Sequence, residues 1–374
     1  MALRRSPVEG MGPVSTDLFG GVFAGRRVFV TGHTGFKGSW LTRWLLDLGA
    51  RVTGYALEPD TDPSLFEELG LARHVDSRIG DVRDLGSLSS ALLKTRPEIV
   101  FHLAAQPLVR RSYAEPLYTF ETNVMGTANL LEAVRGCEAA RVVVNITTDK
   151  VYENPETGRP FAEDEPLGGH DPYSASKACS EIVSAAYRRS FFAGNAGGPA
   201  LATARAGNVI GGGDWSEDRI VPDIVRALEV GEPVKVRNPD AVRPWQHVLE
   251  PLAGYLTLAE ALWRDGRERA GAYNFGPEPD DVHPVRDLVD RSIEAWGAGS
   301  WEVLGAGGQP HEAGLLSLTI DKARDELGWR PLWGFETTVE RTVSWYRRVA
   351  SGEDPETVTF EDLSAYSEEL SAGS

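Results

Sequence analysis

The chain has 374 residues, 41% of them hydrophobic and 25% charged, the make-up of a soluble globular protein large enough for two lobes. Its formal net charge of −17 excludes nucleic acid as a partner, because phosphate binding needs a basic surface. No stretch approaches the roughly 20 apolar residues of a membrane helix; no membrane association is expected, and a cytoplasmic location is. Cys137 and Cys179 offer neither a disulfide framework nor metal-ligand spacing. Both are expected in helices as buried small hydrophobes, and no metal site is expected.

In chain order, residues 1–24 carry Arg4 and Arg5 with no apolar run behind them, so they read as a flexible segment and not a secretory signal. Arg27-Val28-Phe29-Val30 is a short predicted strand, followed by a Gly-rich turn and a helix. On that helix Trp40, Leu41, Trp44, Leu45 and Leu48 recur at helical spacing, and Gly49 is a C-cap. Further strands are predicted at Arg51 to Leu57, before Gly80, at Ile99 to Leu103, at Arg141 to Ile146 and at Leu201 to Ala206. Nearly continuous apolar strands mean burial on both faces. The fold class is therefore α/β: a doubly wound parallel sheet of the Rossmann kind over residues 25–207. After about Gly207, prolines and glycines break the pattern. Residues 208–350 are assigned mainly to a smaller C-terminal substrate-binding lobe with crossovers back to the sheet. Residues 351–374 read as an acidic, solvated and partly disordered tail, since Glu353 to Glu369 includes no Lys or Arg.

Gly32-x-x-Gly35-x-x-Gly38 lies between a strand and a helix, where glycines permit a tight turn and close approach of backbone to a pyrophosphate. The second strand lacks the usual terminal acid for ribose hydroxyls, ending Tyr55-Ala56-Leu57 with Glu58 one step late. His33 and Lys37 in the turn are offered instead as contacts for the ribose or a 2′-phosphate, with Phe36 between them. Asp81 and Val82 are placed to meet the adenine; Leu103, Ala104 and Ala105 are placed beneath the cofactor. Because the acid is missing, NAD over NADP is a preference and not a deduction. Farther on, Tyr173 and Lys177 stand four residues apart on one helix face. A nearby ammonium and a cationic nicotinamide lower a phenol's pKa, which suits it to remove a hydroxyl proton. Thr148, Asp149 and Lys150 end the strongest strand, facing the crevice at the carboxyl edge of the sheet.

Together these motifs resemble the extended short-chain dehydrogenase/reductase family, from roughly Phe23 to Arg348. Within it, the turn Thr31 to Leu41, the run Thr147 to Tyr152, Gly207 to Trp215 and Arg243 to Val248 resemble the 4,6-dehydratases acting on CDP-glucose. The resemblance implies oxidation at C4 of a nucleoside-diphosphate hexose, loss of water across C5 and C6, and return of the hydride to C6. It implies Asp149 as the acid for the C6 hydroxyl, with Lys150 where relatives carry a Glu base. A lysine serves there only if its pKa is depressed. Asn208 matches a position that touches the sugar nucleotide. Arg243 suits a diphosphate through bidentate bonds, Arg219 is a further candidate, and His311 lies in a polar loop able to meet the base. A 4-epimerase or decarboxylase on the same scaffold, and a non-catalytic NAD binder, remain alternatives. The family also implies a homodimer, with Tyr118 to Val134 and Tyr173 to Phe192 as the candidate helices.

Overall fold

The computed structural model describes residues 14–194, 198–304 and 316–373. Its centre is a seven-stranded sheet with every pairing parallel. The strands are β1 (Arg27–Thr31), β2 (Arg51–Ala56), β3 (Asp76–Ile79), β4 (Ile99–His102), β5 (Val142–Ile146), β6 (Ala200–Arg205) and β7 (Ala272–Asn274), in the order β7-β6-β5-β4-β1-β2-β3. β4, β5 and β6 are buried along their whole length, as strands covered on both faces are. The doubly wound sheet expected from the sequence is thus the sheet observed. Its order reverses between β1 and β4, which opens a crevice at their carboxyl ends. The segments after β1, β4, β5 and β6 share that rim.

The second half of the chain returns to this sheet. β7 pairs with β6, and the Leu249–Asp265 helix, almost wholly buried, packs on β5 and β6. Smaller ladders lie outside it, including Val242–Arg243 paired with His283–Pro284.

Two expectations about the ends need correction. Within the supposedly flexible first 24 residues, Val14, Leu18, Phe19 and Phe23 are buried, and Phe19 meets Trp44 edge-on at 5.7 Å; residues 1–13 lie outside the described set. The acidic tail is an ordered helix, Pro355–Ala372, capped by Asp354 accepting from Thr357 N. Val358, Leu363 and Tyr366 are buried beneath it. Its acids are matched by cations: Glu356 by Arg43 of the Phe36–Asp47 helix, and Asp362 by Arg341 and Glu361 by Arg348 of the preceding Phe335–Ala350 helix. Cysteine placement also differs: Cys137 is buried in the turn after the Gly126–Arg135 helix, and Cys179 is half-buried on its helix.

The buried Glu250 carboxylate anchors this C-terminal helix, accepting from Tyr366 OH at 2.8 Å and from Trp333 N at 2.7 Å. Burial pushes Glu250 up to about 7. A carboxyl whose folded pKa is raised contributes stability below its unfolded value and loses it as pH climbs through the folded value. Wild type minus Glu250→Gln is therefore expected to lose a few degrees of Tm between pH 5 and pH 8.5, at roughly 2 °C per kcal/mol for a chain of this size. The difference is the proper readout. His33, His102 and His247, held by burial at about 4, 3 and 3, make both proteins less stable in acid. A pH-independent difference would contradict the assignment.

Candidate active site

The rim carries the Gly32–Gly38 turn first. Gly32 has φ +75°, and a Cβ there would meet Ala104 N at 2.7 Å. Gly35, extended and exposed, begins the Phe36–Asp47 helix with no side chain capping it. The N–H groups of that first turn are open to an anion at the positive end of the helix dipole. Ala104 N donates to Thr31 Oγ1 at 3.2 Å, which ties the half-buried Leu103-Ala104-Ala105 segment against the turn. At the far end of the crevice, the Asp81 carboxylate is held by Arg83, Val82 is buried, and Leu57 is 48% exposed. That cradle suits a dinucleotide, and its ribose end is uncharged at position 57.

The structure moves two turn residues away from their expected places. His33 is fully buried: its Nε2 lies 2.8 Å from Ser77 Oγ, and its ring fills the space that a Cβ on Gly54 would occupy. Burial lowers it to about 4, so the ring is neutral and offers nothing to a 2′-phosphate. Lys37 turns toward the reacting end, where its Nζ donates to Tyr255 OH at 3.5 Å. Burial and the Arg219 charge lower it to about 8, while Asp149 pulls it upward. Phe36 is half-buried against the core.

The Pro172–Tyr187 helix starts where Asp171 accepts from Ser174 N at 3.0 Å, with Pro172 in the first turn. Asn145 on β5 donates to Ser180 and Ser184, seating this helix against the sheet. Tyr173 and Lys177 thereby face the end of β5, both buried. The Tyr173 phenol hydrogen-bonds Thr148, whose hydroxyl also donates to Asp149 Oδ1 at 2.9 Å. Lys177 Nζ donates to the Ile146 carbonyl at 3.0 Å. Asp149 is completely buried, and Asn208 Nδ2 approaches its other oxygen at 3.4 Å. Asn208 itself sits at φ +47°, a strained value for a non-glycine residue. The preceding Gly207 leaves room for Asp149, since a Cβ there would fall 1.9 Å from the carboxylate. Lys150 is half-buried in the Asp149–Val151 turn.

Electrostatically, burial pushes Tyr173 up to about 12; Thr148 and Arg219 pull it down, and Asp149 raises it. The protein's own groups do not bring the phenol into the neutral range, because desolvation outweighs them. Burial and the Lys37 charge lower Lys177 to about 7, opposed by Glu181.

Thr148, Asp149, Tyr173, Lys177, Asn208 and Arg219 therefore converge, Arg219 through its charge on Tyr173 and a 2.8 Å bond to Asp214. Arg243 lies on the small Val242–Arg243 ladder and donates to the Val242 carbonyl. His311 falls outside the described residues. Trp245 and His247 are buried packing; the His247 ring lies between Trp40 and Trp333. Tyr255 belongs to the centre without any sequence signal, since it comes from a helix of the second half. Glu181 had a signal: it continues the four-residue spacing of Tyr173 and Lys177.

A family model described as GDP-mannose 4,6 dehydratase matches residues 29–342. The chain is 49% identical to a CDP-glucose 4,6-dehydratase of Salmonella typhimurium, over 91% of this chain and 96% of that one. It is 32% identical to a dTDP-glucose 4,6-dehydratase of Streptomyces antibioticus, over 86% and 92%. Among solved structures, the dTDP-glucose 4,6-dehydratase of Streptomyces venezuelae, crystallised with NAD bound, superposes with a TM-score of 0.74 at 28% identity, covering 88% of this chain and 99% of that one.

Proposed function

The chain belongs to the GDP-mannose 4,6 dehydratase family, and from that premise we propose that it is a hydro-lyase converting CDP-glucose to CDP-4-dehydro-6-deoxyglucose and water. The observation that carries the substrate is the 49% identity along 91% of the chain to an enzyme of that name. The cofactor is NAD, held by the Gly32–Gly38 turn and the segments after β3 and β4. When bound, NAD supplies the redox chemistry, taking the C4 hydrogen with its electron pair and giving it back at C6.

The chain's own groups handle the protons and the substrate. Tyr173 takes the C4 hydroxyl proton, with Thr148 and the Arg219 charge favouring phenolate and protonated Lys177 one turn along the same helix as its partner. The new C4 ketone acidifies the C5 proton, which a base removes and gives back to C5 as the hydride adds at C6. Asp149 protonates the departing C6 hydroxyl; its burial beside Asn208 keeps bulk water from replacing it as the acid. Lys150 occupies the position of that C5 base, and Asn208 and Arg219 hold the sugar nucleotide, with Arg243 for the diphosphate and His311 for the base. The protein works in the cytoplasm. It pairs as a homodimer through the Tyr118 to Val134 and Tyr173 to Phe192 segments, on which Met125, Ile182 and Phe191 are exposed.

Incubation with CDP-glucose, UDP-glucose, dTDP-glucose and GDP-mannose tests the function. The expected product is CDP-sugar lighter by one water; an epimer of unchanged mass would overturn it. Lys150→Met is expected to abolish deuterium incorporation at C5 in D₂O while leaving C4 oxidation, read as reduced-nicotinamide absorbance, within about tenfold of wild type. Retained incorporation would move the base elsewhere, and Lys37, lowered to about 8 beside Asp149, is then the next amine to test.

A further inference from the structure

Behind the reacting groups lies a carboxylate that the chemistry above does not use. Glu181 is one turn beyond Lys177 on the same helix face and is buried with Arg205, each side chain only 4% exposed. It accepts four hydrogen bonds: Arg205 Nε and Nη2 at 3.0 Å each, Thr203 Oγ1 at 2.7 Å and Thr147 Oγ1 at 2.5 Å. The third Arg205 nitrogen donates to Tyr152 OH at 2.7 Å, and that hydroxyl donates to Asn274 Oδ1 at 2.7 Å.

A buried ion pair is poor evidence for stability, because desolvation offsets most of the attraction and apolar replacements often do as well. What distinguishes this one is where its ends attach. Thr147 immediately precedes Thr148, and Tyr152 follows the Asp149–Val151 turn. The pair therefore grips the turn bearing Thr148, Asp149 and Lys150 on both sides, and does so from the helix that bears Tyr173 and Lys177.

We propose that Glu181 and Arg205 are positioning residues, a clamp that fixes the Thr148–Lys150 turn in register with Tyr173 and Lys177. The clamp has this role only if the function proposed above holds. Thr203 supplies the internal control. Its hydroxyl bonds the same carboxylate from the middle of β6, at a point that holds no part of the turn.

Wild type, Thr147→Val, Tyr152→Phe and Thr203→Val are compared for kcat, KM and Tm with CDP-glucose and NAD. Each substitution removes one hydroxyl and leaves the ion pair. A clamp predicts that Thr147→Val and Tyr152→Phe each lose about tenfold or more in kcat with KM within about twofold, since small misplacements of reacting groups are costly. Thr203→Val keeps kcat within about twofold, whatever its Tm. Glu181→Gln gives a second readout: without the negative charge that holds Lys177 up, the alkaline limb of kcat moves to lower pH. Equal falls in Tm for the two threonine variants with unchanged kcat would make the pair merely structural. If Glu181→Gln does not fold, the threonine comparison still decides. A folded wild type that dehydrates none of the nucleotide sugars overturns the proposed function and the clamp together; normal wild-type turnover with Thr147→Val matching Thr203→Val overturns the clamp alone.

Discussion

Tyr173→Phe is expected to lower kcat by about 10³-fold, within the range that a positioned general base contributes. Phe keeps the ring that fills the space at the start of the Pro172–Tyr187 helix, so Tm should move by only a few degrees. Lys177 keeps its bond to the Ile146 carbonyl, and Asp149 keeps its bond from Thr148, because neither passes through the phenol. The loss should fall on kcat with little change in KM, the mark of an interaction made in the transition state. A second measurement follows from the electrostatics. Burial pushes the phenol up to about 12, and Thr148 is the first group that pulls it back. Removing that hydrogen bond in Thr148→Val raises the phenol pKa further, so the acidic limb of the kcat profile moves to higher pH. A Tyr173→Phe enzyme within about tenfold of wild type would remove the tyrosine from the proton transfer.

Much of the sheet was legible because local pattern and burial agree there. β4 and β5 are mostly apolar runs in sequence and are buried on both faces in the fold. Tyr173 and Lys177 were legible for a similar reason: a helix turn alone brings them together. Illegible residues depend on partners remote in sequence. Lys37 swings to the reacting end because Tyr255, 218 residues onward, offers it an oxygen. His33 goes inward because Gly54 leaves a hole and Ser77 a partner. The acidic tail reads as solvated because Arg43, which pairs with Glu356, lies 313 residues away, while Arg341 and Arg348 sit on the helix just before it. The convergence of Asp149 with Gly207 and Asn208 requires β5 and β6 to be neighbours, which no motif states.

The turn itself yields the second large effect, and it runs against propensity. Gly38 lies in the third position of a helix, where Ala is ordinarily the better residue by about 1 kcal/mol. A Cβ there would fall 2.0 Å from the Gly32 carbonyl oxygen and 2.8 Å from His33 Cα. Both are backbone atoms, so no rotamer relieves the clash and the turn must open. Gly38→Ala is therefore expected to cost about 1–3 kcal/mol in stability and to weaken NAD binding, measured by calorimetry, by at least about tenfold, since the open N–H groups leave their positions. Gly35→Ala separates the two consequences. Its Cβ would meet only the Gly32 oxygen at 3.6 Å, an ordinary contact. That protein should lose about 1 kcal/mol or less, the usual difference at a helix N-cap. Any loss of NAD affinity in it then reports the ligand's need for close backbone approach, free of any distortion of the fold. Should Gly38→Ala keep both its Tm and its affinity, the tight packing of helix on turn would not be what shapes this cradle.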